Sequence, residues 1–194
     1  GAETILNMAR KLGLGEKQCY EILEEKAGYI PNSQEEGIGN ISIGQGKIQV
    51  TPLQVTAMMA SIANNGIKYD ARLIDELINE DGGTVKKIDK GSPRIVLSPT
   101  TAYRLKRMLR DVAVYGTGKQ ANIEKFGGSS GKTGTAETGM KNGNIIHGWF
   151  TGFIPSNDPQ YAITVFINNG RSGGGSAAPI FKQVGENILT NIKR

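Results

Sequence analysis

Cysteine is all but absent. Cys19 is the only one in 194 residues, so neither a disulfide framework nor a set of thiolate metal ligands can be built. Histidine is equally scarce. With His147 alone, a zinc site or a Ser-His-Asp triad is a poor fit. Lying two residues before Trp149 in a strand-like segment, it fits a packed or surface role better than a catalytic one. No apolar run approaches the length of a transmembrane helix, and no signal-peptide pattern is visible. Long basic runs are also missing, and the net charge of +5 is mild for this length, so there is no case for nucleic-acid binding. The densest basic stretch is Arg104-Leu105-Lys106-Arg107-Met108-Leu109-Arg110. Its apolar neighbours Ala102, Leu105, Met108, Leu109 and Val112 share one helical face, which leaves the cations as a solvated surface.

What is plentiful is glycine, with 27 residues against a lean apolar fraction of 38%. Many turns are therefore expected in a chain long enough for one domain with its own core. Ile5, Met8, Ala9 and Leu12 repeat at helical spacing, and Gly13 and Gly15 end that helix. Glu16 to Ala27 reads as a second helix, and Pro31 to Gly39 as a polar loop. The clearest helix runs from Pro52 to Ala63. Thr51 is its N-cap, Pro52 takes the first helical position, and Gln54 completes a capping box. Leu53, Val55, Ala57, Met58, Met59, Ala60, Ile62 and Ala63 make it apolar nearly all round, which predicts burial with the methionines as core filler. Asn64-Asn65-Gly66 stops it.

Leu73 to Asn79 and Thr84 to Ile88 flank Glu80-Asp81-Gly82-Gly83 and read as a hairpin. Ser98-Pro99 opens a helix running to about Val114. Strands follow near Ser130–Thr138, Ile145–Ile154 and Tyr161–Asn168. Asn142-Gly143-Asn144 and Ser156-Asn157-Asp158-Pro159 turn between them, which predicts an antiparallel meander. A closing helix covers Ala178 to Ile192. Gly170–Ser176 is a loop that either flexes or edges a groove. Helices, then a meander, then a helix make an α+β fold, an antiparallel sheet with helices packed on it.

One segment carries chemistry: Ser130-Gly131-Lys132-Thr133-Gly134-Thr135-Ala136-Glu137. It offers one cation, two hydroxyls and an unhindered backbone. A phosphate-binding loop would need glycine at position 126, which is Phe126, and a helix after the Lys-Thr pair, where Gly134, Thr135, Thr138 and Gly139 stand instead. The plain alternative is a glycine-rich hairpin with a solvated lysine. The other reading is the Lys-Thr-Gly element that accompanies S-x-x-K in serine acyl-transferases.

Four further segments decide between these. Ile43-Gly44-Gln45-Gly46 leading to Val50-Thr51-Pro52-Leu53-Gln54 resembles the glycine turn and helix start of class B penicillin-binding proteins. Tyr115-Gly116-Thr117-Gly118 resembles the same family, as does His147-Gly148-Trp149-Phe150-Thr151-Gly152-Phe153-Ile154-Pro155. So does Gly173-Gly174-Gly175-Ser176-Ala177-Ala178-Pro179-Ile180-Phe181. The resemblance spans nearly the whole chain in the family's order.

It implies a peptidoglycan D,D-transpeptidase. In that family a serine attacks the penultimate D-alanine carbonyl of a stem peptide and passes the acyl group to an amine on another stem; β-lactams trap the acyl-enzyme. By the same resemblance Lys132 supplies field and hydrogen bonds near the nucleophile, Thr133 and Thr135 hold the terminal carboxylate, the Thr135 backbone N–H serves the oxyanion hole, and Gly134 permits close approach. No cofactor or metal is implied. The implied partners are stem peptides, β-lactams and other cell-wall synthesis proteins. The implied location is the outer face of the bacterial cytoplasmic membrane, reached by an N-terminal anchor.

The family's nucleophile motif is not in the chain. The only literal Ser-x-x-Lys is Ser129-Ser130-Gly131-Lys132, whose lysine is already the strand lysine, and no Ser-x-Asn occurs. In the family a helix like Glu3–Leu12 follows soon after Ser-x-Asn. The expectation is therefore that residues 1–194 are the C-terminal portion of one transpeptidase domain, inactive without the nucleophile-bearing part, which becomes a partner. A β-lactam sensor on the same fold and a D,D-carboxypeptidase stay open; a β-lactamase is less favoured, because nothing matches its deacylation apparatus.

Overall fold

The computed structural model describes residues 1–18, 24–89, 91–137 and 145–191. Helix α1 spans Ala2–Lys11 and a short α2 spans Ile38–Ser42. Helix α3 spans Pro52–Ala63, with the capping box complete: Gln54 N donates to Thr51 Oγ1, and Thr51 N donates to the Gln54 side chain. Two small ladders follow. Strand β1 (Ile67–Lys68) pairs antiparallel with β4 (Arg94–Ile95), and β2 (Glu76–Ile78) pairs with β3 (Thr84–Lys87) as the expected hairpin. Helix α4 spans Pro99–Val114, and Ser98 Oγ accepts from Thr101 N at its start.

The meander comprises β5 (Ser130–Glu137), β6 (Ile146–Ile154) and β7 (Tyr161–Ile167), in the spatial order β5-β6-β7 and antiparallel throughout. A widened helical turn over Gly173–Ala177 then leads into α5, Ala178–Asn191. The chain is α+β, as the order of elements predicts.

Strand alternation builds a core on each face of the sheet. Phe150 and Ile154 point to one face, where Ala121, Ile123, Ala177, Ala178 and Phe181 close on them. Phe153 points to the other, against Met59 and Ile62 of α3, Val96 and Leu97, with Leu105 and Leu109 of α4 alongside. A chain of hydroxyls pins α3 to this second face: Thr56 Oγ1 donates to Thr164 Oγ1 at 2.7 Å, and Thr164 lies 2.8 Å from Thr151 Oγ1.

Polar ties hold the first quarter of the chain. Gln54 is fully buried, and its Nε2 donates to Glu16 O at 2.8 Å and Ala27 O at 2.6 Å. Lys68 is buried between Glu16 Oε1 at 3.3 Å and Asp70 Oδ1 at 3.5 Å, and Arg94 bridges the same two carboxylates at 2.8 and 3.1 Å.

Five expectations need correction. The helix read over Glu16–Ala27 is not helical at its described ends, 16–18 and 24–27, and its middle lies outside the described residues. Its polar groups serve non-helical ties instead: Gln18 N donates to Glu25 Oε2, and Gln18 Nε2 to Gly13 O. In α1 the buried residue is Leu6, whereas Ile5 and Met8 are exposed. In α4 Ala102 is buried and Leu105 and Leu109 pack inward, but Met108 is 61% exposed. Helix α3 is not enclosed all round, because Val55 and Met58 open onto a groove. The Pro31–Gly39 loop also gives way to α2 at Ile38. Cys19 and the Asn142-Gly143-Asn144 turn lie outside the described residues.

Candidate active site

Strand β5 is the outer strand of its sheet, and among the described residues no strand pairs with its other edge. Its register sets Lys132 opposite Thr151, Gly134 opposite Trp149 and Ala136 opposite His147. Residues directly opposite share a face. Lys132 and Gly134 therefore lie with Trp149, whereas Thr133 and Thr135 lie on the opposite face with Phe150 and Gly148. The four sequence-predicted residues are contiguous but split between two faces of one strand. Only a ligand running along the open edge meets all of them.

That edge is polar and positively charged. Lys132 is exposed, and no acidic side chain among the described residues pairs with its ammonium. Its Nζ donates to Thr133 O at 2.8 Å and to Thr133 Oγ1 at 3.3 Å. Gln45 Nε2 donates to Thr135 O at 3.3 Å. Both carbonyls thus face away from β6. In an antiparallel strand a residue's N–H and C=O point to the same side, so the Thr135 N–H also faces the open edge.

The edge forms one lip of an apolar groove of about 710 Å³. Its floor is the Lys132 face of the sheet, with Trp149 and His147. Its far wall is α3 and the segment before it, including Ile43, Val55 and Met58. Trp149 packs on Phe166 at 4.6 Å between ring centroids, and His147 on the same ring at 5.1 Å. His147 is thus a packed histidine, and its buried Nδ1 has no hydrogen-bond partner among the described residues. The methionines divide: Met59 is core, while Met58 also faces the groove.

The glycine-rich stretch before α5, expected as a loop that flexes or edges a groove, backs the other face of β5 and does not line the groove. A Cβ at Gly173 would run into the carbonyl oxygens of Gly134 and Trp149 and lie 2.9 Å from Gly134 N. Gly173 N donates to Thr135 Oγ1 at 3.3 Å. The turn therefore lies directly on the Lys-Thr-Gly strand and orients one of its hydroxyls. Sequence reasoning singled out Gln45, Thr117 and Gly173 as members of motifs but gave them no contact with β5; the signal was their glycine-rich setting.

Ser129 and Ser130 are both fully buried. Ser129 Oγ donates to Ala121 O at 2.7 Å, and Ser130 Oγ lies 2.6 Å from Ser156 Oγ. Neither hydroxyl reaches the open edge. Among the described residues no cluster of His, Cys, Asp or Glu could hold a metal ion.

An α+β fold with a Lys-Thr-Gly edge strand over an apolar groove is the arrangement of a penicillin-recognising protein. Residues 1–186 match the penicillin binding protein transpeptidase domain, and the chain belongs to that family. It is 32% identical to penicillin-binding protein PbpB of Mycolicibacterium smegmatis, over 97% of this chain and 32% of the relative. To peptidoglycan D,D-transpeptidase PbpA of Mycobacterium tuberculosis it is 31% identical, over 97% of this chain and 40% of the relative. Among solved structures it resembles penicillin binding protein 3 of M. tuberculosis complexed with aztreonam. There the TM-score is 0.83 at 29% identity, over 94% of this chain and 45% of that one. A ceftriaxone acyl-enzyme of penicillin-binding protein A from the same organism gives 0.80 at 30% identity, over 94% and 42%. The chain spans about a third to two fifths of the length of the curated relatives it matches.

Proposed function

We propose that this chain is the substrate-binding, C-terminal portion of a serine-type D,D-transpeptidase domain that cross-links peptidoglycan stem peptides and is acylated by β-lactams. The observation that carries the reading is the open β5 edge. One ammonium with no acidic partner among the described residues, two hydroxyls and an outward N–H line a groove in a family with a solved β-lactam acyl-enzyme.

A stem peptide lies along this edge as an added strand. Its terminal carboxylate is held by the Thr133 and Thr135 hydroxyls in the field of Lys132. Gly134, whose missing side chain would face Trp149, leaves the backbone clear. A serine supplied by the upstream part of the domain loses its proton to a neighbouring base, and its Oγ attacks the penultimate D-alanine carbonyl. The Thr135 N–H donates to the oxyanion, a contribution of about 3 kcal/mol for donors of this kind. The base hands that proton to the departing nitrogen as the C–N bond breaks, which releases D-alanine and leaves the acyl-enzyme. An amine on a second stem then takes the acyl group and the serine recovers its proton. Gln45, on the Thr135 carbonyl in this structure, gives way to the ligand's own amide N–H.

The same reading gives the apolar groove its occupant. Val55, Met58 and Ile43 face it, and Ile43 is 73% exposed. The nucleophile-bearing part of the domain packs there and completes the site. Serine chemistry, an upstream anchor and an extracytoplasmic location all belong to this proposal; no helix among the described residues is long and apolar enough to cross a membrane.

The test is acylation of the longer protein by a labelled penicillin, followed by assay of acyl transfer from a stem-peptide donor. An adduct with transfer to an amine supports the transpeptidase. Transfer to water alone makes it a carboxypeptidase, and a stable adduct without transfer makes it a sensor.

A further inference from the structure

Thr117 sits in Gly116-Thr117-Gly118, the loop that ends α4, and no step above uses it. The loop folds back on its own helix. Gly116 N and Gly118 N both donate to Val112 O at 3.1 Å. A Cβ on Gly116 would lie 2.9 Å from Val112 Cα, and one on Gly118 would lie 3.1 Å from Phe150 Cε2 and 3.2 Å from Val112 Cγ1. Gly116 is thus required by close approach, and Gly118 sits where a side chain would be tightly crowded. The result is that Thr117 Oγ1 lies 2.8 Å from Thr133 Oγ1. Gly174 closes over the pair: its Cβ would sit 2.8 Å from Thr117 O and 3.7 Å from Thr133 Cγ2.

We propose that Thr117 is a positioning residue that acts through Thr133, aiming the Thr133 proton at an incoming carboxylate. Given the function proposed above, the protons available at Thr133 fix this role. Thr133 Oγ1 has one proton and two lone pairs. Lys132 Nζ, which can only donate, points at one lone pair from 3.3 Å. When Thr117 donates to the other, both acceptor positions are filled, and the Thr133 proton has one direction left, outward along the open edge. A carboxylate arriving there finds a donor already aligned, backed by the ammonium. Without Thr117 the Thr133 hydroxyl keeps an open lone pair and rotates freely.

The test uses the longest natural form of the protein, carrying Thr117→Val or Thr117→Ser. The readout is the bimolecular acylation rate by a penicillin bearing its free carboxylate and by the methyl ester of the same penicillin. Both probes see the same preparation, so any loss of folded protein cancels in their ratio. Thr117→Val is expected to slow the acid roughly five- to tenfold, to leave the ester within about twofold, and Thr117→Ser to restore the acid rate. An unchanged acid rate in Thr117→Val, or equal losses for acid and ester, overturns the proposal. Failure of the unmodified protein to react with either probe instead overturns the function proposed above.

Discussion

Replacing Gly173 by alanine should disable the site without unfolding the protein. The added methyl would collide with the carbonyl oxygens of Gly134 and Trp149 and stand 2.9 Å from Gly134 N. These are backbone atoms of a paired ladder and cannot rotate away. An ordinary carbon–oxygen contact needs about 3.3 Å, so the turn and the strand must part by about 1 Å. Overpacking of this kind costs about 1–3 kcal/mol, which a folded domain usually survives. The function should fare worse, because displacement of a positioning group by about 1 Å can cost about 10²-fold in rate. The displaced group here is Gly134, at the centre of the ligand strand, and the shift also strains the Gly173 N–H bond to Thr135 Oγ1. The assay is the acylation rate by a labelled β-lactam, read beside the thermal unfolding curve of the longer protein. Gly175→Ala is the comparator in the same turn, because its methyl meets only the Ser172 hydroxyl, at 3.0 Å. Gly173→Ala is expected to lose about 10²-fold and Gly175→Ala less than about threefold. Acylation by Gly173→Ala within twofold of the parent would refute the view that the turn positions the strand.

Other changes test other parts of the structure. Lys132→Met should cut acylation by at least about 10²-fold, with unfolding little changed because Lys132 is exposed. Gln54→Met should lower stability by about 2–4 kcal/mol in denaturant titrations, since it leaves Ala27 O and Thr51 N without the carboxamide that now binds them. Glu16 gives a pH test. Burial alone would raise its pKa, but the hydrogen bond and charge of Arg94, with Lys68, hold it below the ordinary 4.5. Folded Glu16 therefore binds a proton more weakly than unfolded Glu16. Its stabilisation is complete above about pH 4.5 and fades as pH falls through the lower folded value. Glu16→Gln should flatten this acid limb of the stability curve.

The sequence was most legible where local chemistry and tertiary packing agree. Helix α3 begins at Pro52 because Thr51, Pro52 and Gln54 satisfy its first N–H groups locally, and α4 begins at Pro99 for the same kind of reason. The meander was readable from three successive strand-like segments and the turn residues between them. Where long-range polar ties decide, local pattern misled. The ends of the Glu16–Ala27 segment are held by Gln54, whose side chain binds Glu16 O and Ala27 O from far along the chain, and by the bond from Gln18 N to the Glu25 carboxylate within the segment. In α1 the 3.6-residue pattern marked an apolar stripe through Ile5 and Met8, yet packing chose Leu6. At the site, Lys132 to Thr135 were legible as a motif, but their division between two faces of an edge strand needed the register with β6. The contacts from Gln45, Thr117 and Gly173 join residues 16 to 90 positions apart, which no local pattern encodes.

The central claim is that these residues bind and polarise a substrate whose serine attacker comes from elsewhere in the protein. Intact mass after incubation with a labelled penicillin tests it most directly, on residues 1–194 alone and again with the upstream segment supplied. The account predicts no adduct on the chain alone and a single adduct, on the upstream segment, in the second case. An adduct on the chain alone, mapped to Ser129, Ser130 or any other residue of it, would contradict the claim.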